Sequence, residues 1–208
     1  MIAIIPDILL LLFPFLMLAF KLFLTQVQTA HKNFAFAYLF ILLICQNFVL
    51  IGDTQVYFSN WQIDTFGIFM REIFTLSALL ALLLSENYFK HSMSEKPRLL
   101  HFSEFAAAIG FATFGGVAVV SANDLLTLFL GLELATIPMY ALVAWNKRDS
   151  EGTEAAIKYI LMGSVATAFE LFGFSYLYGF AGHLTFPEIT SALQTNQASP
   201  LIWISVLF

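Results

Sequence analysis

The sequence predicts an all-α fold, a polytopic transmembrane helix bundle of about six spanning helices plus the start of a seventh. Three observations predict it. The composition is 60% hydrophobic and only 11% charged, against roughly 45–50% and 25% in soluble domains. The apolar residues gather into runs long enough to cross about 30 Å of hydrocarbon, which takes about 20 residues at a rise of about 1.5 Å each. The basic residues alternate from loop to loop, as they do when successive loops lie on opposite sides of a membrane. A mean hydropathy of +0.83 agrees.

The first run, residues 2–24, begins MIAIIPDILLLLFPFLMLAFKLF; it lacks the basic leader of a signal peptide and is too long for one, so it reads as a retained helix. Further spans follow at 34–51, 66–84, 105–120, 125–145 and 155–178. Between the third and fourth, NYFKHSMSEKPRLLH reads as a hinge-like loop, since nothing on either side of it would fold as a soluble unit. A last apolar run, 201–208, is too short to span a bilayer, so either the natural chain continues or this is a fragment. The stretch 1–208 is one membrane domain.

Charge placement tests this division. Lys21 and Lys32 follow the first helix, Lys90, Lys96 and Arg98 the third, and Lys147 and Arg148 the fifth. The intervening loops, DTQVYFSNWQID, SAND and AGHLTFPEITSALQTNQASP, contain no Lys or Arg. The basic loops therefore belong in the cytoplasm and the N-terminus outside. Cys45, the only cysteine, excludes an internal disulfide and a cysteine metal cluster. His31, His91, His101 and His183 stand singly, without the i, i+4 pairing of a metal site.

Ionisable residues inside the spans need explaining, because each costs roughly 2.5–3.5 kcal/mol on insertion scales and such groups usually face a bundle interior or water path. Glu133, in FLGLELATIPMYALVAW, lies nine residues past Asp124, about 13 Å along a helix and so near mid-membrane. Pro138 cannot donate to the carbonyl of Leu134 and should kink the helix just beyond Glu133, leaving an acceptor that invites water; Thr136 offers a further polar contact. A carboxyl in low dielectric favours its neutral form and an approaching cation the ionised one, so a partner charge that moves would switch its proton occupancy. Two readings of Glu133 stand: a step in proton transport, or a permanently protonated Glu acting as structural glue between helices.

Lys158 has two readings as well. It either snorkels to the interface from the start of its helix or is buried as a proton-exchanging amine. Gly163, Ser164 and Ala166 would let that helix approach a neighbour closely. Arg71 and Glu72 are adjacent and point apart, with Arg71 snorkelling or binding another helix. Glu104 opens the fourth helix as a first-turn acid favoured by the helix dipole. Glu170, about 120° round the helix from Lys158, has no ready role beyond a contact with a partner subunit.

The block SANDLLTLFLGLELATIPMYALVAWNKRDSEGTEAAIKYILMGSVATAFELFGFSYLYGFAGHLTF, residues 121–186, closely resembles the N subunits of the proton-pumping NADH:quinone oxidoreductase, respiratory complex I. DTFGIFMREIF and SEF look like the preceding helices of the same family. The resemblance implies the N-terminal portion of a longer antiporter-like subunit, taking part in proton translocation coupled to quinone reduction. It implies that Glu133 is the mid-membrane glutamate of the fifth helix, pairing with a lysine of a seventh helix that would lie beyond Phe208, and that Lys158 is the lysine of the sixth. Glu72 and Glu170 depart from the apolar pattern usual in the family. No cofactor or metal is expected in this chain; NADH, FMN, iron–sulfur clusters and quinone are implied elsewhere in the complex. Partners would be the neighbouring antiporter-like and small membrane subunits and the lipid bilayer of the bacterial cell inner membrane, with no nucleic acid. The alternative is a subunit of a Mrp-type cation/proton antiporter or of a membrane-bound hydrogenase-related complex.

Overall fold

The computed structural model describes residues 2–23, 28–47, 55–92, 98–145, 150–195 and 200–207. After a short 3₁₀ turn at Ile2–Ile4 come helices α1 (Ile5–Phe23) and α2 (Gln28–Asn47). A β-hairpin follows, β1 (Gln55–Tyr57) and β2 (Trp61–Ile63), and then α3 (Thr65–Ser92), α4 (Arg98–Ser121), α5 (Leu125–Val143) and α6 (Ser150–Ala181). Two short helices close the chain, α7 (Phe186–Thr195) and α8 (Pro200–Leu207). Among the described residues five windows are long and apolar enough to cross a membrane: Ile5–Leu22, Thr65–Ser85, Phe102–Ser121, Leu125–Val143 and Ser150–Ala181. With the shorter apolar stretch His31–Gln46 of α2 they make about six spans, and the chain is a multi-pass membrane protein.

Helices α2, α3, α4 and α6 extend beyond the apolar runs that predict them, whereas α1 and α5 are a little shorter. α2 begins at Gln28 instead of residue 34, and α3 continues to Ser92. Residues such as Gln28, Ala30, Glu86 and Lys90 are good helix formers, so the hydrogen-bonded ladder continues after hydropathy falls. Most of the expected loop NYFKHSMSEKPRLLH is accordingly helical at the end of α3 and the start of α4. Lys96, Lys147 and Arg148 lie outside the described residues.

α4 is the central element, packing against α1, α3 and α5. Its Ala106, Ala107 and Val117 meet Phe13 and Met17 of α1, Leu39 and Leu42 of α2 and Leu82 of α3 in one buried cluster. Against α5 the approach is backbone to backbone: a Cβ on Gly115 would lie 2.3 Å from the amide nitrogen of Ala135. Only glycine fits, and in a bilayer such small-residue contact replaces the missing hydrophobic drive between helices with dispersion attraction.

At the hairpin end the connecting segments are laced together. The hairpin turns through Phe58 (φ 54°) and Ser59 (φ 66°), and β2 continues into a bridge between Trp61 and Ala122. Asn123 joins both sides of this cap: its backbone amide donates to the Asn60 carbonyl at 2.9 Å, and its carbonyl accepts from the Phe186 amide at 3.0 Å. Its side-chain Nδ2 donates to the Ser59 carbonyl at 2.8 Å.

Candidate functional site in the membrane

Asp124 starts the helix that carries the central glutamate. It adopts the extended conformation of an N-cap, and its carboxylate accepts from the Thr127 amide at 2.9 Å and the Thr127 hydroxyl at 2.7 Å. Helix α5 then runs through Pro138 to Val143 without a break in its assignment. Glu133 stands in its middle, half-buried, and its Oε1 accepts a hydrogen bond from Thr167 Oγ1 of α6 at 2.7 Å. Thr136 does not reach the carboxylate; its hydroxyl donates to the Leu132 carbonyl at 3.0 Å, the local back-bond common to Thr in membrane helices.

The α5–α6 contact rests on one further fit. The Tyr140 hydroxyl occupies the space where a Cβ of Gly163 would be, 2.0 Å away, and the Tyr140 ring meets Tyr159 edge to face. Of the small residues expected to bring α6 close to a neighbour, Gly163 does so, whereas Ser164 and Ala166 are exposed.

Glu170 follows one turn beyond Thr167 on the same helix and is half-buried. The structure therefore brings Glu133 and Thr167 together, with Glu170 next along α6. Lys158 is not among them. It lies about 13 Å back along α6 from Thr167 and about half a turn round, is 72% exposed, and pairs with Glu154 one turn earlier on the same helix. A carboxyl with a hydroxyl donor is equipped to accept and release a proton; among the described residues no group of three or more His, Cys, Asp or Glu side chains that could hold a metal ion comes together.

One other expectation is corrected. Glu104 is not a first-turn acid, because α4 starts at Arg98; it forms an ion pair with Lys21 of α1. Of the two readings of Arg71 the second holds: it is buried and binds another helix, pairing with Asp7 of α1, Nε to Oδ1 at 3.1 Å. Asp7 was hidden inside what reads as a uniformly apolar first helix, and its partner is far away in sequence.

The sequence profile of the NADH:quinone oxidoreductase/Mrp antiporter transmembrane family matches residues 122–208. The chain is 34% identical over 187 residues to NADH-quinone oxidoreductase subunit N of Heliobacterium modesticaldum, covering 88% of this chain and 38% of that protein. It is 37% identical over 147 residues to the subunit N of Anoxybacillus flavithermus, covering 71% of this chain and 27% of that one. It thus spans well under half the length of these relatives. The fold is shared with a chain of respiratory complex I from Thermus thermophilus with bound aureothin, at a TM-score of 0.71 and 22% identity over 97% of this chain and 43% of that chain. It is shared equally with a chain of the membrane-bound sulfane sulfur reductase, an archaeal respiratory membrane complex, at a TM-score of 0.74 and 20% identity over 99% of this chain and 42% of that one. Sequence profile and subunit N relatives agree: the chain belongs to the NADH:quinone oxidoreductase/Mrp antiporter transmembrane family, among its N subunits.

Proposed function

We infer that this chain is part of the membrane arm of an NADH:quinone oxidoreductase and takes part in moving protons across the membrane when quinone is reduced elsewhere in the complex. One observation carries the reading: Glu133 is an acid held in mid-span, half-buried, and among the described residues its carboxylate has a hydroxyl donor, Thr167, and no cation paired with it. A carboxyl so placed changes its proton occupancy when a cation approaches or leaves. The chain contributes a proton-holding step and no redox chemistry, while NADH, FMN, iron–sulfur clusters and quinone belong to other subunits. Its partners are the neighbouring antiporter-like and small membrane subunits, and its complex works as a translocase in the bacterial inner membrane, with the N-terminus outside and the basic loops in the cytoplasm.

Lys158 enters as a second proton group. Its exposure on the outer face of α6 supports a role only where that face meets further protein or water, since toward bare lipid an ammonium would be costly. The kink expected at Pro138 would give Glu133 access to water. The subunit N relatives favour this reading over a cation antiporter.

The test is Glu133→Gln in the assembled complex, which keeps the shape and hydrogen bonding of the side chain and removes its proton. Proton uptake per NADH oxidised is expected to fall, since the step through Glu133 would slow on the scale of about a hundredfold or more that a positioned acid or base contributes. Parental uptake with parental quinone reduction would remove Glu133 from the proton path.

A further inference from the structure

The polar groups buried most deeply in this protein are not on α5 or α6. Asp7, Thr75, Arg71, Gln46 and Ser121 are each at most 3% exposed. They are connected. Gln46 Nε2 of α2 donates to Thr75 Oγ1 of α3 at 3.1 Å, and Thr75 donates to the Arg71 carbonyl at 2.9 Å. The Arg71 guanidinium faces Asp7 of α1, and its Nη2 donates to Ser121 Oγ at the last residue of α4, 2.6 Å away. The hairpin closes the group, with Trp61 Nε1 donating to Asp7 Oδ2 at 3.0 Å and the Gln62 carbonyl in weak contact with Nη2 at 3.4 Å. Asp64 adds a second negative field at the start of α3.

Arginine keeps its charge, so this chain of contacts cannot relay protons through Arg71. Its physical content is different. Removing two charges from water and lipid headgroups is costly, and a pair so buried repays that cost only where geometry is well satisfied; once formed, losing one partner strands the other. Between Arg71 Nε and Asp7 Oδ1 the contact is ionic without hydrogen-bond alignment, so the directional bonds are those to Ser121 and from Trp61. These bonds decide what is held. Ser121 is the end of α4; Asp124, next in line, caps α5, and Glu133 follows on that helix.

We propose that Arg71 is a positioning residue for Glu133: anchored by Asp7, the guanidinium fixes the α4–α5 turn and thereby the depth and rotation of the helix that carries the glutamate. The proposal rests on the proton role of Glu133 given above. It places the positioning element in α1, α3 and the hairpin, none of which touches the Glu133 carboxylate.

The test uses the assembled complex with Arg71→Gln, Asp7→Asn, both together, and Ser121→Ala, with Glu133→Gln run beside them. Protons taken up per NADH oxidised are normalised to assembled complex, so that poor assembly alone leaves the ratio unmoved. Either single charge variant is expected to lower the ratio about threefold or more, and the combined variant to recover most of it because no charge is left stranded. Ser121→Ala keeps the ion pair and loses only the hold on α4; a fall of about twofold is expected. A single variant that assembles with the parental ratio overturns the proposal, and so does a combined variant no better than the singles. Should neither single variant assemble, Ser121→Ala decides: a lowered ratio supports the proposal and a parental ratio overturns it. A parental ratio in Glu133→Gln sinks the proton role itself, whereas a lowered ratio there beside parental ratios in the Arg71 and Asp7 variants sinks the positioning role alone.

Discussion

Helices α1 to α4 and helices α5 and α6 are built from equally apolar sequence, yet they treat their charges differently. Among the described residues 28–44% of the α1, α3 and α4 spans is buried within the chain, and the deeply buried Arg71 is paired in place with an aspartate from another helix. In the second region 6% of either span is buried by these 208 residues, which span 38% of the length of the Heliobacterium relative. Among the described residues the buried charge of α3 has an opposite charge beside it, whereas Glu133 has a hydroxyl and Lys158 an exposed neighbour on its own helix. On the proton role proposed for Glu133, the contrast would separate scaffold from working part inside one membrane domain.

The sharpest way to break this contrast is at the seam between the two regions. Gly115→Leu puts a side chain into the backbone of Leu134 and Ala135, which cannot move aside as a flexible side chain would. The folded subunit is expected to disappear from the membrane, while Gly179→Ala, with no atom within 4 Å of the new Cβ, leaves its amount unchanged. Normal accumulation of the leucine variant would show that α4 and α5 are not in backbone contact.

Next in size is a pair of truncations, one in each region. Phe13 is fully buried under α4, whereas Leu161 on α6 is 62% exposed. In soluble cores Phe→Ala costs about 3–5 kcal/mol. In a bilayer the transfer part is reduced, because lipid is as apolar as the core, and the cavity part remains. Phe13→Ala is therefore expected to destabilise detergent-solubilised protein by at least about 2 kcal/mol, read as a thermal midpoint, and Leu161→Ala to leave the midpoint unchanged. Equal losses at both sites would erase the difference between the regions.

Smaller effects sharpen the comparison. Asp124→Ala removes the cap of α5 and should cost about 1–2 kcal/mol by the same measurement. Loss of cap strength without loss of proton uptake would separate the stability of α5 from its alignment. Smallest is Lys158→Gln. Its contact with Glu154 is an exposed i, i+4 pair, so the thermal midpoint should correspond to a change within about 0.5 kcal/mol. A larger loss would mean that Lys158 is a structural member of the bundle.

The length and period of the apolar runs carry most of the helical architecture, because bilayer thickness imposes one length on every span. Glu133 and Lys158 stand out in the sequence for a related reason: a charge inside such a run is conspicuous, although the structure leaves Lys158 exposed and apart from Glu133. Asp7 does not, since it sits beside Pro6 near the end of its run, and pairing with Arg71 is a contact between helices that no local pattern encodes. The hairpin lacked its usual cue as well. Its loop has three residues, Phe58 to Asn60 between the paired Tyr57 and Trp61, and where such loops signal themselves with a glycine at positive φ, Phe58 and Ser59 take those positions here. Helix α7 did carry a signal, the capping-box spacing Thr185 to Glu188 with Pro187 in the first turn, and the Thr185 hydroxyl does bond the Glu188 carboxylate. Its low hydropathy masked it.

Trp61 holds the aspartate of the buried pair through its ring nitrogen. The colour of indole fluorescence follows nearby charge, and the chain has three tryptophans. With Trp145 and Trp203 replaced by phenylalanine, the remaining emission would serve as a built-in optical gauge of whether aspartate and arginine are still joined, readable during turnover without an attached dye.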